Sequence, residues 1–159
     1  MARRIFLDMD RCIGCQSCAA ACFYAHSGVS GVSFASVREE TTMPSVCRHC
    51  EEPACVAACV KNAVRKLDDG TIVRMNMLCI GCRSCVFACP FGVIDPDLKS
   101  HVVSKCDQCV ARAAEGKGPA CVATCPAGAL KFEEVEEPSR EYVLVGGRVA
   151  RHHPIFKRR

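Results

Sequence analysis

The stretch Cys79-Ile80-Gly81-Cys82-Arg83-Ser84-Cys85-Val86-Phe87-Ala88-Cys89-Pro90 sets a cysteine at every third residue, adds a fourth after a gap of three and closes on proline. Three thiolates in that rhythm wrap three corners of an iron–sulfur cube from one loop, and the fourth corner needs a thiolate from elsewhere. Working outward, Cys12, Cys15, Cys18 and Cys22 repeat the spacing, with Phe23 in place of proline. Cys47, Cys50, Cys55 and Cys59 form another group. Cys106 and Cys109 make the last one with Cys121-Val122-Ala123-Thr124-Cys125-Pro126, which copies the end of the run. Sixteen cysteines therefore fall into four groups of four with none left over, the number that four 4Fe-4S clusters require.

The chain has 159 residues, no tryptophan, and a hydrophobic half inflated by its cysteines. That is enough for one ordinary domain or two very small ones, with the clusters as the cores around which the chain packs. The apoprotein is then expected to be largely unfolded, because metal-binding energy is folding energy in such chains. The formal charge of +4 counts the cysteines as neutral. Four oxidised cubes with their thiolates add roughly −8, so the loaded protein is mildly acidic and its Lys and Arg do not argue for nucleic acid. Those basic residues are expected to balance cluster charge or to form a docking face.

Arg3-Arg4 runs straight into Ile5-Phe6-Leu7 and the first cysteine group, with no apolar leader segment before it, and no stretch approaches 18 apolar residues. The expectation is a cytoplasmic chain with no membrane span. Two other uses of the cysteines compete. Eight disulfides would suit a secreted scaffold, against which stand the missing leader and the three-residue spacing. Structural zinc usually draws on two separated C-x-x-C pairs, which this spacing suits poorly.

Each group is expected to follow one rhythm, namely a short strand or turn, a tight cysteine loop, then a short helix carrying the fourth cysteine. Arg4 to Asp8 reads as a strand, Ala19 to His26 as a helix stopped by Gly28, and Val32 to Arg38 as a strand. Pro53 to Cys59 starts a helix on proline, and Ala63 to Met75 reads as a hairpin turning at Asp68-Asp69-Gly70. Val93-Ile94 and His101-Val102-Val103 flank a turn at Asp95-Pro96-Asp97, predicting a second hairpin. Val110 to Ala120 reads as an insertion in the fourth group, and the basic tail from Arg151 as a solvated end or a partner-gripping arm.

Four groups in this order, with C-x2-C-x4-C-x3-C second and C-x2-C-x11-C-x3-C fourth, resemble the four-cluster ferredoxin-type electron-transfer subunits of the dimethyl sulfoxide reductase and formate dehydrogenase type. The resemblance covers roughly Arg3 to Phe132. It implies an α+β fold of two interleaved bacterial-ferredoxin-like modules, with short hairpins and helices around four 4Fe-4S clusters. One module would span 1–31 with 100–137, the other 32–99, and 138–159 would be a C-terminal extension. It also implies shared ligand sets. Cys12, Cys15 and Cys18 would join Cys125; Cys106, Cys109 and Cys121 would join Cys22; Cys47, Cys50 and Cys55 would join Cys89; and Cys79, Cys82 and Cys85 would join Cys59.

No serine–histidine, paired-carboxylate or glycine-rich nucleotide pattern singles itself out, so the chain reads as a non-catalytic electron-transfer subunit. The five histidines are scattered and are expected in ordinary polar roles, except that His49, between Cys47 and Cys50, is placed to donate to a cluster sulfur. Lys61 and Lys105 are candidates for raising cluster potentials. The implied partners are a catalytic tungsten or molybdenum pterin oxidoreductase subunit, aldehyde oxidoreductase first, and a further redox protein. Formate dehydrogenase, hydrogenase and carbon monoxide dehydrogenase are the alternatives, and a chain that lends residues to a shared active site is another. Clusters at both ends would also permit head-to-tail stacking into a filament with the tail as its joint, which light scattering on a chain lacking 139–159 would test.

Overall fold

The β1 strand (Arg4–Leu7) closes the fold, because its partner comes from the far end of the cysteine-bearing chain. In the computed structural model, which describes residues 3–37, 41–95, 101–134, 142–145 and 148–151, β1 is followed by α1 (Ser17–Ala25) and a hairpin of β2 (Ser33–Val37) and β3 (Thr41–Ser45). Then come α2 (Ala54–Ala57), a hairpin of β4 (Val64–Lys66) and β5 (Ile72–Arg74), a 3-10 turn at Asn76–Leu78, and α3 (Ser84–Ala88). The chain continues through α4 (Val110–Ala114), α5 (Ala120–Ala123), β6 (Leu130–Glu133), β7 (Tyr142–Val145) and β8 (Arg148–Arg151).

The architecture is α+β, with four two-stranded antiparallel sheets among the described residues. β1 pairs with β6, setting Ile5 opposite Phe132 and Leu7 opposite Leu130, and Asp8 N–H extends the ladder to the Ala129 carbonyl at 2.8 Å. Helix α1 packs on α5, and α2 on α3. Ile5, Leu7, Val64, Ile72, Ile94 and Leu130 supply the aliphatic core, and seven buried cysteines share it. None of these helices exceeds nine residues, so packing around thiols, not helix propensity, holds them.

Three of the four groups end in the same turn. The N–H of Cys59, Cys89 and Cys125 bonds the carbonyl three residues back, at 3.1, 3.3 and 3.3 Å, which tightens the last helical turn. Each then accepts through its own carbonyl from Asn62, Gly92 or Gly128, all at positive φ. The expected helix bearing the fourth cysteine therefore holds only for Cys22, inside α1. Cys59, Cys89 and Cys125 sit at or just past a helix end, since the tight turn takes over and Pro90 and Pro126 oppose a helical residue before them.

The hairpin expected after Pro90 contracts to a single bridge between Asp95 and Ser104, with its apex, 96–100, outside the described residues. The insertion in the fourth group holds a helix, α4, which the glycines at 116 and 118 had obscured in the sequence. Within the expected C-terminal extension the chain forms the β7–β8 hairpin, and β8 approaches β1; the expected basic tail lies, after Arg151, outside the described residues.

Candidate metal centres

The cysteine loops come in two local geometries. In the first and third groups a glycine precedes the second cysteine and a left-handed residue, Gln16 (φ 60°) or Arg83 (φ 59°), caps the helix that follows. The hydroxyls of Ser17 and Ser84 reach Cys15 and Cys82 and lower both thiols from their ordinary value. Gly81 is required here: at φ +68° its backbone lies where a Cβ would come within 2.4 Å of the His101 carbonyl oxygen. In the second and fourth groups a buried polar residue, His49 or Gln108, stands before the second cysteine, and its N–H points at the first, Cys47 Sγ at 3.5 Å and Cys106 Sγ at 3.4 Å.

The structure gathers the cysteines across groups. One cavity is lined by Cys79, Cys82 and Cys85 together with Cys59. Another is lined by Cys12, Cys15 and Cys18 together with Cys125. Cys55 lies within electrostatic reach of Cys47, Cys50 and Cys89, and Cys121 within reach of Cys109 and Cys22. Burial pushes Cys18 and Cys55 up to about 11 and Cys121 up to about 12, and raises Cys106 well above the ordinary thiol value. Cys15 and Cys82, the middle cysteines of the two matching loops, are exposed.

Backbone amides aim at these sulfurs. Ala63 N–H reaches Cys59 Sγ at 3.2 Å, Ala129 N–H reaches Cys125 Sγ at 3.3 Å, and Gly31 N–H reaches Cys22 Sγ at 3.2 Å. Gly31 also lies against the backbone of the fourth group: a Cβ there would sit 2.6 Å from Cys106 N. Ser104 Oγ donates to the Ser30 carbonyl beside it. Gly31 thus links the thiol of the first group's last cysteine to the backbone of the fourth group's first.

Strand β5 joins the two halves of the site. Ile72 N–H donates to His49 Nδ1 at 2.8 Å, so the neutral ring carries its proton on Nε2. Burial, then Lys105 and Arg4, lower the His49 pKa to about 3. Lys105 Nζ donates to the Ile72 carbonyl at 2.7 Å, the Cys106 carbonyl at 2.9 Å and Cys47 Sγ at 3.4 Å. Thr71 Oγ1 donates to Gln108 Oε1 at 3.1 Å, and Gln108 Nε2 to the Arg3 carbonyl at 3.2 Å. Lys61 lines the cavity of Cys59 and Cys79 with Lys105. His26, read as an ordinary polar residue, has Nε2 only 3.3 Å from Cys109 Sγ and 3.6 Å from Asp107 Oδ1. Gln108, Gly31 and His26 carried no sequence signal; Ser17 and Ser84 did, by standing at the same place in matching loops.

These donors fit an iron–sulfur cube. The lining is soft thiol sulfur with amides directed at it, apolar around Cys12 and Cys125 and carrying cations around Cys59 and Cys79, and two buried donors, His49 Nε2 and Arg74 Nη1, meet no protein acceptor among the described residues. Arg74 lines the Cys59 and Cys79 cavity. Residues 38–135 match the family model described as "4Fe-4S dicluster domain", and residues 5–25 match "4Fe-4S binding domain". The chain belongs to the 4Fe-4S dicluster family.

Its similarity to individual members is extensive. Over 155 residues it is 35% identical to a component of the anaerobic dimethyl sulfoxide reductase of Escherichia coli (strain K12), covering 86% of this chain and 76% of that one. It is 36% identical over 145 residues to a thiosulfate reductase electron transfer subunit of Salmonella typhi, covering 82% and 74%. Over 146 residues it is 34% identical to a component of the tetrathionate reductase of Salmonella typhimurium, covering 84% and 58%. As a dicluster member of this kind the chain carries 4Fe-4S clusters and is a non-catalytic electron-transfer subunit of an oxidoreductase complex. Among the described residues no helix is long and apolar enough to cross a membrane.

Proposed function

We propose that the sixteen cysteines hold four 4Fe-4S clusters in the mixed sets implied by the sequence resemblance. The observation that carries this reading is that each of two cavities is lined by three cysteines of one group and the fourth of another, Cys125 in one and Cys59 in the other. When bound, each cluster supplies a reversible one-electron couple. The protein's part is to exclude water by burying Cys18, Cys55, Cys106 and Cys121, to aim amides at sulfur, and to hold Lys105 between Cys47 and the Cys106 backbone.

Two interleaved modules follow, one of β1, α1, α4, α5 and β6, the other of α2, β4, β5 and α3, and the packing of α1 on α5 and of α2 on α3 supports them. Phe34 and Pro44 line the cavity of Cys12 and Cys125, which favours assigning the β2–β3 hairpin to the first module instead of the second. Electrostatic reach from Cys18 to Cys121 and from Cys47 to Cys106 supports one line of sets, with Cys15 exposed at one end and Cys82 at the other. Electrons pass along that line between a molybdenum or tungsten pterin catalytic subunit and a second redox protein, in the cytoplasm. The names of the relatives, reductases of dimethyl sulfoxide, thiosulfate and tetrathionate, favour a reductase partner over the aldehyde oxidoreductase expected from the sequence.

Anaerobic purification from the native cells tests the proposal. About 16 iron per chain, four for each cube, together with a co-eluting pterin-metal subunit, is the expected result. Zinc in place of iron would overturn it.

A further inference from the structure

The two cavities that carry the exposed ends differ in charge. Lys61, Arg74 and Arg83 line the cavity of Cys59, Cys79, Cys82 and Cys85; Lys105 lines it too, but with its ammonium turned to Cys47 and the Cys106 carbonyl, so the first three are the cations of this end. Among the described residues no charged side chain lines the cavity of Cys12, Cys15, Cys18 and Cys125; Leu7, Ile13, Phe34 and Leu130 stand there, and Gln16 occupies the place that Arg83 takes in the matching loop. The cavities are similar in volume, and each ends in an exposed cysteine with a serine hydroxyl on it. Size, exposure at the outer thiol and loop geometry are thus matched, and the cations are the difference.

Reduction adds one negative charge to a cube and its thiolates. Nearby cations stabilise the reduced state and raise the potential, whereas an apolar surround without charge lowers it. Resting on the ligand sets proposed above, we infer that the chain is electrically polar: the Cys59–Cys85 end is its high-potential terminus and the Cys12–Cys125 end its low-potential terminus. Electrons therefore run downhill from the Cys15 edge to the Cys82 edge. The exchange is of single electrons: the one lost at the first set is the one gained at the last, with no proton or atom transferred.

Potentiometric titration of the anaerobic holoprotein, followed by electron paramagnetic resonance, tests this. Cys15→Ser and Cys82→Ser each alter one signal and so assign the two termini. The expected order puts the signal altered by Cys82→Ser at the more positive midpoint. Reciprocal exchange of the matching residues then narrows the gap: Gln16→Arg raises one midpoint and Arg83→Gln lowers the other. The change expected for each is about tenfold in the reduced-to-oxidised ratio at fixed potential, equal to about 59 mV for a one-electron couple. Arg74→Met lowers the Cys82 midpoint and Arg74→Lys restores it, which loss of fold would not produce. The reverse order, or midpoints unmoved by all three charge changes, would overturn the polarity while leaving the ligand sets intact. Serine variants that alter no signal would overturn the ligand sets, and the polarity with them.

Discussion

Lys105 Nζ lies 3.4 Å from Cys47 Sγ across 58 residues of sequence, and the same ammonium is bonded to the carbonyls of Ile72 and Cys106. One side chain thus ties the second cysteine group, the fourth, and the hairpin strand between them. Replacing it with methionine leaves two half-buried carbonyls and a thiolate without their donor. Lys105→Met is expected to cost about 2 kcal/mol, read as a lower urea midpoint for loss of visible absorbance. An unchanged midpoint would mean that water replaces the ammonium there.

Gly31 cannot carry a side chain where it stands, because a Cβ would sit 2.6 Å from a backbone nitrogen that has no room to yield. Gly31→Ala is expected to push the loop off the Cys106 backbone, weaken the amide bond to Cys22 Sγ and destabilise by about 1–3 kcal/mol. Iron analysis should find it one cluster short of the parent chain, while the cavity of Cys59 and Cys79, far along the chain, keeps its own iron. Full iron content and parental stability would show that the loop accommodates the methyl group.

The pH dependence follows from His49. Its folded-state pKa is depressed to about 3 from an ordinary 6.5, chiefly by burial. A depressed value means that the neutral ring's contribution is fully present above pH 6.5 and is lost as the pH falls toward 3. Loss of clusters on acidification should thus steepen across that window. In His49→Gln, which keeps a donor and cannot ionise, the loss should move to lower pH; identical acid profiles for the two proteins would exclude His49 as the titrating group.

Removing the iron should remove the fold. Seven buried cysteines sit in the main core, and no described helix passes nine residues. Chelation under anaerobic conditions is expected to abolish most of the helical circular dichroism and the amide protection of β1 and β6, with recovery on adding back iron and sulfide. Native-like protection in the apoprotein would mean that the aliphatic residues suffice.

Cysteine spacing made the centres legible, because ligation fixes residue type and interval together. The β4–β5 hairpin was legible for a similar reason, with its Asp-Asp-Gly turn set between apolar runs. The repeated rhythm leads to an expected helix at Cys59, Cys89 and Cys125, yet each helix stops short at a tight turn, which at Cys59 and Cys125 is followed by an amide aimed at the sulfur. The β3 strand and the tail hairpin gave no periodic signal, being short and two-stranded. What decides the site most finely, the contact of Gly31 with Cys106 and the reach of Lys105, depends on meetings between distant segments that a local reading does not contain.

The pairing of β1 with β6 imposes a timetable on synthesis. Strand β1 leaves the ribosome well over a hundred residues before β6, the partner that meets its hydrogen bonds. Throughout translation, therefore, Ile5, Phe6 and Leu7 and the earliest thiols stand open to water and to stray metal or oxidant. Iron delivery that begins on the nascent chain would meet cysteine sets that still lack members, because the sets draw on groups far apart in sequence.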